Sequence, residues 1–80
     1  MFTVYVLSSI KFKKYYIGHT KDFDKRIARH NSGLVKSTKA YRPWKLVYSE
    51  QHLTKNDAYR RELEIKLYKG GNAFKKLIGI

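Results

Sequence analysis

No cysteine occurs in this 80-residue chain, so neither disulfides nor thiolate-bound metals can hold it together. That excludes disulfide scaffolds, zinc fingers, iron–sulfur ligation and thiolate catalysis, and leaves one hydrophobic core to do the work of folding. Twenty-one Val, Leu, Ile and Phe residues, with seven Tyr and Trp44, supply enough material for one small core. A chain of this length buries only ~60–65% of the surface that its unfolded form exposes, which predicts marginal stability. One domain spanning residues 1–80 is the expectation.

Charge is the next constraint. Eighteen Lys and Arg against six Asp and Glu give a net charge of +12, a strong self-repulsion that points to a polyanionic partner. The apolar run Val4–Leu7 is far too short to cross a bilayer, and the chain opens on no signal-peptide pattern. A soluble, cytoplasmic domain without membrane partners is therefore expected.

Phe2–Leu7 is dense in β-branched and aromatic residues and predicts a strand. Ser8–Lys14 is polar and basic, suited to a hairpin connection, and Tyr15–Gly18 follows as a second short strand. A first helix is predicted from about Asp22, whose carboxylate can cap free N–H groups, to a stop at Ser32-Gly33. Leu34–Pro43 is a basic loop, and Trp44–Gln51 a third strand. Thr54-Lys55-Asn56-Asp57 resembles a capping box and places a second helix over about Lys55–Lys69. Gly70-Gly71 breaks it, and Asn72–Ile78 forms a short last helix. The order ββαβαα describes an α+β domain, a small three-stranded antiparallel or mixed sheet flanked by helices.

Several polar residues fall where apolar ones belong. Phe23 and Ile27 mark the buried stripe of the first helix, and Arg26 and His30 lie beside it, one turn apart. They either snorkel at the core's edge or serve a site. On the second helix the inward arc runs through Ala58, Tyr59, Leu63, Ile65 and Leu67, and Glu62 falls inside it. An inward carboxylate is costly unless compensated. A salt bridge to Arg26 or Lys66 is one explanation, and a divalent cation, which prefers oxygen ligands, is the other. Of Tyr15 and Tyr16 only one can share a face with Tyr5, and the hairpin register decides which. His19 and His52 show no metal-ligand spacing and read as ordinary surface or strand-edge residues.

Taken in order, these residues resemble the GIY-YIG nuclease family. The blocks are Val4-Tyr5-Val6; Tyr16-Ile17-Gly18; Asp22 through Arg26-Ile27 to His30-Asn31-Ser32-Gly33; Arg42-Pro43-Trp44-Lys45-Leu46-Val47-Tyr48; and Ala58, Arg61-Glu62, Ile65-Lys66. The likeness is to small single-domain members similar to the N-terminal domain of UvrC, the incision protein of bacterial nucleotide excision repair, a DNA-repair pathway. Thr3-Val4-Tyr5 stands where the family name has Gly-Ile-Tyr, and the tyrosine is kept.

The resemblance implies an active site on the sheet surface, with Tyr5, Tyr16, Arg26, His30 and Glu62 converging in one shallow pocket and Asn72 completing it. It also implies the strand register that sets Tyr5 opposite Tyr16 and Leu7 opposite Lys14. The implied activity is metal-dependent hydrolysis of DNA phosphodiester bonds. Glu62 would bind one Mg²⁺ or Mn²⁺ ion, Arg26 would grip the phosphate as a bidentate fork, and Tyr5 would take a proton from water. A phenol with a pKa of ~10 is only about 0.1% ionised at pH 7, so cationic neighbours are expected to lower it. His30 would accept the proton from Tyr5 or orient it. Lys11, Lys13 and Lys14 at the hairpin, with Lys36, Lys39 and Arg42 in the loop, are the expected DNA contacts. Low sequence specificity follows, with targeting left to DNA structure or a protein partner. Two rivals remain: a non-catalytic basic nucleic-acid-binding module and a ribosome-associated basic protein. Neither needs an inward glutamate.

Overall fold

The computed structural model describes residues 1–80. Strand β1 (Phe2–Ser9) is followed by β2 (Tyr15–Thr20), helix α1 (Phe23–Ser32), a 3₁₀ turn (Lys39–Tyr41), β3 (Trp44–His52), α2 (Lys55–Leu67) and α3 (Asn72–Ile78). The sheet is antiparallel with order β2-β1-β3, so the architecture is the expected three-stranded α+β domain. No helix is long and apolar enough to cross a membrane.

The apolar density of β1 explains its central place. Thr3–Leu7 are all buried, because helices cover both faces of the sheet there. Val4 and Val6 face one way, into a cluster with Ala58 and Ile65 of α2 and Phe74 of α3. Tyr5 and Leu7 face the other, packing with Trp44, Tyr16, Phe23, Ile27 and Tyr41. The caps are those the sequence predicts. The Asp22 carboxylate accepts from the Lys25 N–H, Thr54 Oγ1 accepts from the Asp57 N–H, and Gly33 ends α1 in the left-handed region at φ 83°.

Two expectations are corrected. The β1–β2 register pairs Tyr5 with Gly18 and Leu7 with Tyr16, two residues away from the pairing of Tyr5 with Tyr16. A slip of two preserves side-chain direction, so Tyr16 stays on the Tyr5 face as a diagonal neighbour. The reason for this register is steric. A Cβ on residue 18 would lie 2.7 Å from Tyr5 Oη and 2.9 Å from its Cζ, so the Tyr5 ring occupies the space that only glycine leaves open. The second correction concerns α2. Its buried face is Ala58, Glu62 and Ile65, while Tyr59, Leu63 and Leu67 are exposed at 50%, 42% and 74%. In this orientation one ion pair joins α2 to the sheet and another lies along the helix itself. Arg61 Nε donates to both Glu50 oxygens on β3 at 3.0 and 3.1 Å, and the Lys66 ammonium reaches back to Glu62 at 2.6 Å.

Candidate active site

The Tyr5 face of the sheet gathers four of the expected residues. Tyr5 comes from the central strand, Tyr16 from the adjacent edge strand, and Arg26 and His30 from successive turns of α1. The Tyr5 ring centroid lies 6.2 Å from Tyr16, 5.5 Å from Phe23 and 6.0 Å from His30, and Tyr16 lies 4.6 Å from His30. Tyr5 Oη is 3.1 Å from His30 Nε2. His30 is more than a snorkelling edge residue, since its ring is fully buried. Its other nitrogen, Nδ1, lies 2.8 Å from Thr38 Oγ1, which is itself 1% exposed. Thr38 belongs to the segment read from sequence as an undifferentiated basic loop, where no periodicity marks a buried position.

Electrostatics follow from this packing. Burial raises the Tyr5 pKa above the ordinary phenol value, and hydrogen bonding to Arg26 opposes but does not reverse the effect. That corrects the expectation of a phenol made acidic by cations: desolvation of the phenolate is the larger influence. The contact with Tyr5, helped by Tyr16, raises the Arg26 pKa in turn, so the guanidinium stays charged against both phenols. His30 is pulled down to about 4, first by burial and then by the Arg26 charge. At neutral pH it is therefore an uncharged imidazole.

Glu62 is buried, at 8% exposure, on the α2 side of the sheet, next to edge strand β2. Oε1 accepts from His19 Nδ1 at 2.6 Å and Oε2 from Lys66 Nζ at 2.6 Å. The Lys66 partner was one of the two expected from sequence. His19 was read as an ordinary strand-edge residue and instead holds the carboxylate, a pairing between residues 43 positions apart that local spacing cannot reveal. His52 likewise has a partner, Glu50 Oε2 at 2.5 Å. Glu62 and Tyr5 are close enough for the carboxylate charge to contribute to the raised Tyr5 pKa.

Does Glu62 fit a divalent cation? No group of three or more His, Cys, Asp or Glu side chains exists to form an all-protein cage. A single buried carboxylate does suit Mg²⁺ or Mn²⁺, hard ions that retain waters and take phosphate oxygens as their remaining ligands. Lys66 is half-exposed on a flexible stem and can release Oε2. Glu62 is therefore the residue that would hold such an ion.

Asn72 is not brought to the other residues. It is exposed at the first position of α3 and makes no hydrogen bond with any of them. The surface concavity also lies elsewhere than expected. It holds about 440 Å³ and is lined by Ser8–Lys13 and Tyr15 at the hairpin, not by the phenol face. Lys11 and Lys13 line this hollow, and the Lys14 ammonium sits 5.4 Å from the centroid of the Tyr41 ring. Lys36 and Lys39 are exposed on either side of Thr38, so that basic segment borders the His30 end of the site. The Arg42 guanidinium lies against Gly33 at the end of α1, in space that a side chain there would fill.

Comparison with known proteins places the chain in a family. Residues 1–75 match the GIY-YIG catalytic domain, a nuclease domain, and the chain belongs to the GIY-YIG family. That family is one of nucleases, whose members typically act on DNA with a divalent metal ion. Within the family the chain is similar to small UPF0213 proteins. It is 50% identical over 54 residues to one from Staphylococcus saprophyticus and 48% identical over 54 residues to one from Staphylococcus epidermidis. Each match covers 66% of this chain and 66% of the relative, just under two thirds of either. The solution NMR structure of the UPF0213 protein BH0048 from Bacillus halodurans superposes with a TM-score of 0.52 at 33% identity, covering 95% of this chain and 80% of that one.

Proposed function

We propose that this chain is a metal-dependent endonuclease that hydrolyses DNA phosphodiester bonds, with residues 1–80 acting as one catalytic domain. The observation that carries the reading is the Tyr5–His30 contact: a buried phenol 3.1 Å from an imidazole that is neutral at pH 7. A raised phenol pKa makes a standing phenolate a poor description of the base. The pair instead supports a relay. As water attacks phosphorus, its proton passes to Tyr5 Oη while the Tyr5 proton passes to His30 Nε2, so no free phenolate forms. The P–O3′ bond breaks, and the 3′ oxygen leaves with a proton from solvent. Arg26 is poor company for an imidazolium, but the negative charge of the bound phosphate, absent from the free protein, offsets it.

Arg26, whose charge the neighbouring Tyr5 and Tyr16 hydroxyls favour, presents a bidentate fork to the phosphate. Tyr16, beside His30, offers its hydroxyl to the phosphate or the water. A divalent ion at Glu62 would supply Lewis-acid neutralisation of charge on the phosphate. Lys11, Lys13, Lys14, Lys36, Lys39 and Arg42 hold the DNA backbone without reading bases, which accounts for low sequence specificity. Targeting then comes from DNA structure or from a protein partner, in a cytoplasmic setting.

The test is nicking of supercoiled plasmid in Mg²⁺ or Mn²⁺ by the wild type, Tyr5→Phe and Glu62→Ala. The wild type nicks, and both variants fall by at least ~10². Persistent cleavage by Glu62→Ala overturns the metal assignment. DNA binding without cleavage of any DNA form by the wild type favours a non-catalytic binding module.

A further inference from the structure

The relay needs an imidazole whose bare nitrogen faces Tyr5. Tyr5 cannot enforce this, because a phenol can donate or accept. The other side of the ring can. Thr38 Oγ1 stands 2.8 Å from His30 Nδ1 and 3.3 Å from the Val35 carbonyl oxygen. A carbonyl only accepts, so a threonine proton directed at Val35, whose oxygen also takes the Thr38 backbone N–H at 3.1 Å, leaves the Oγ1 lone pair for a proton on Nδ1. His30 and Thr38 are both sealed from solvent, at 0% and 1% exposure, so water is not at hand to take over either role.

Thr38 is also clamped in place. Its carbonyl accepts from Trp44 Nε1 at 3.0 Å. The Trp44 backbone N–H donates to Asn31 Oδ1 at 2.6 Å, and Asn31 Nδ2 donates back to the Trp44 carbonyl at 3.2 Å. Asn31 adjoins His30 on α1, so the histidine and the hydroxyl it meets are tied to the same buried tryptophan. We infer that Thr38 is a positioning residue: it holds His30 in the Nδ1–H tautomer, turning the Nε2 lone pair toward the Tyr5 hydroxyl. Its importance for cleavage rests on the proposed relay, whereas the tautomer rests on the Thr38 hydroxyl lying between His30 Nδ1 and the Val35 carbonyl.

The experiment reads the two separately. Long-range ¹H–¹⁵N spectra of the His30 ring at pH 7.5 report which nitrogen carries the proton, for the wild type, Thr38→Ser and Thr38→Val, beside plasmid nicking and DNA binding by each. The wild type and Thr38→Ser show a protonated Nδ1 and a bare Nε2. Thr38→Val loses that pattern, keeps its DNA affinity, and nicks slower by on the order of 10²–10⁴-fold, the usual contribution of a positioned proton transfer. Thr38→Ser recovers most of the rate, which a purely steric role for the threonine methyl does not predict. A bare Nδ1 in the wild type overturns the inference without recourse to any variant. So does an unchanged ring pattern in Thr38→Val. Should the wild type nick nothing, the nuclease reading fails while the ring spectra still decide the tautomer.

Discussion

Acid should weaken this fold through one residue, and the size of the effect follows from His30. In the unfolded chain its imidazole titrates near 6.5, whereas burial and the neighbouring Arg26 charge take it to about 4 in the native state. Between those values the unfolded state binds a proton that the native state refuses, so stability falls as pH falls. The contribution is fully present above pH 6.5 and is lost progressively toward pH 4. Two titration curves separated in this way cost about 2 kcal/mol at pH 5, and less than about 0.1 kcal/mol at pH 7.5. For a domain whose total stability is ~4–12 kcal/mol by its length, that is a large fraction. Urea unfolding followed by circular dichroism at steps from pH 7.5 to 5, for wild type and His30→Gln, measures it. Groups common to both proteins cancel in the difference, and stopping at pH 5 keeps carboxylate protonation out of the way. The wild type should lose about 2 kcal/mol more than the variant over that range. Parallel stability profiles, or an NMR titration of the His30 ring with an ordinary midpoint near 6.5, would refute the reasoning.

Other perturbations separate fold from chemistry. Gly18→Ala places a methyl 2.7 Å from Tyr5 Oη, against a ring with nowhere to retreat; thermal melts should show a loss of about 1–3 kcal/mol, with nicking falling alongside. Glu62→Gln removes the charge that holds His19 and Lys66; nicking and Mn²⁺ binding by calorimetry should both fall, while stability stays within about 1 kcal/mol or rises. DNA affinity should drop ~10³–10⁵-fold between 50 and 200 mM salt if six to ten phosphates are contacted, and replacing Lys11, Lys13 and Lys14 by Ala should flatten the log–log salt slope by about 3. Arg26→Lys keeps the positive charge but not the fork, so kcat should fall with little change in binding.

The neighbourhood of Glu62 shows why one motif residue is not enough to define a site. Arg61 and Glu62 are adjacent in the chain, yet they point to opposite partners. Arg61 ties α2 to Glu50 of β3, and Glu62 turns toward His19 of β2. Both contacts are made in a single rotation of the helix. The exposed stripe of Tyr59, Leu63 and Leu67 follows from the same rotation, against the sum of apolar residues around the helix.

What the sequence by itself determined was whatever depends on local period and local chemistry. The dense apolar run of β1 marked a strand. Asp22, Thr54 and Gly33 marked helix ends, because their capping bonds reach only a few residues. Glu62 stood out as a carboxylate inside the inward arc of its helix, and Arg26 and His30 as polar groups beside the buried stripe of theirs. The hairpin register was not determined, since pairings two residues apart keep every side chain on its own face; the fit of the Tyr5 ring over Gly18 chose between them. His19 and Thr38 were invisible for a related reason. Each acts through a single contact with a residue distant in the chain, and only the folded packing brings a second hydrogen-bonding group to Glu62 and to His30.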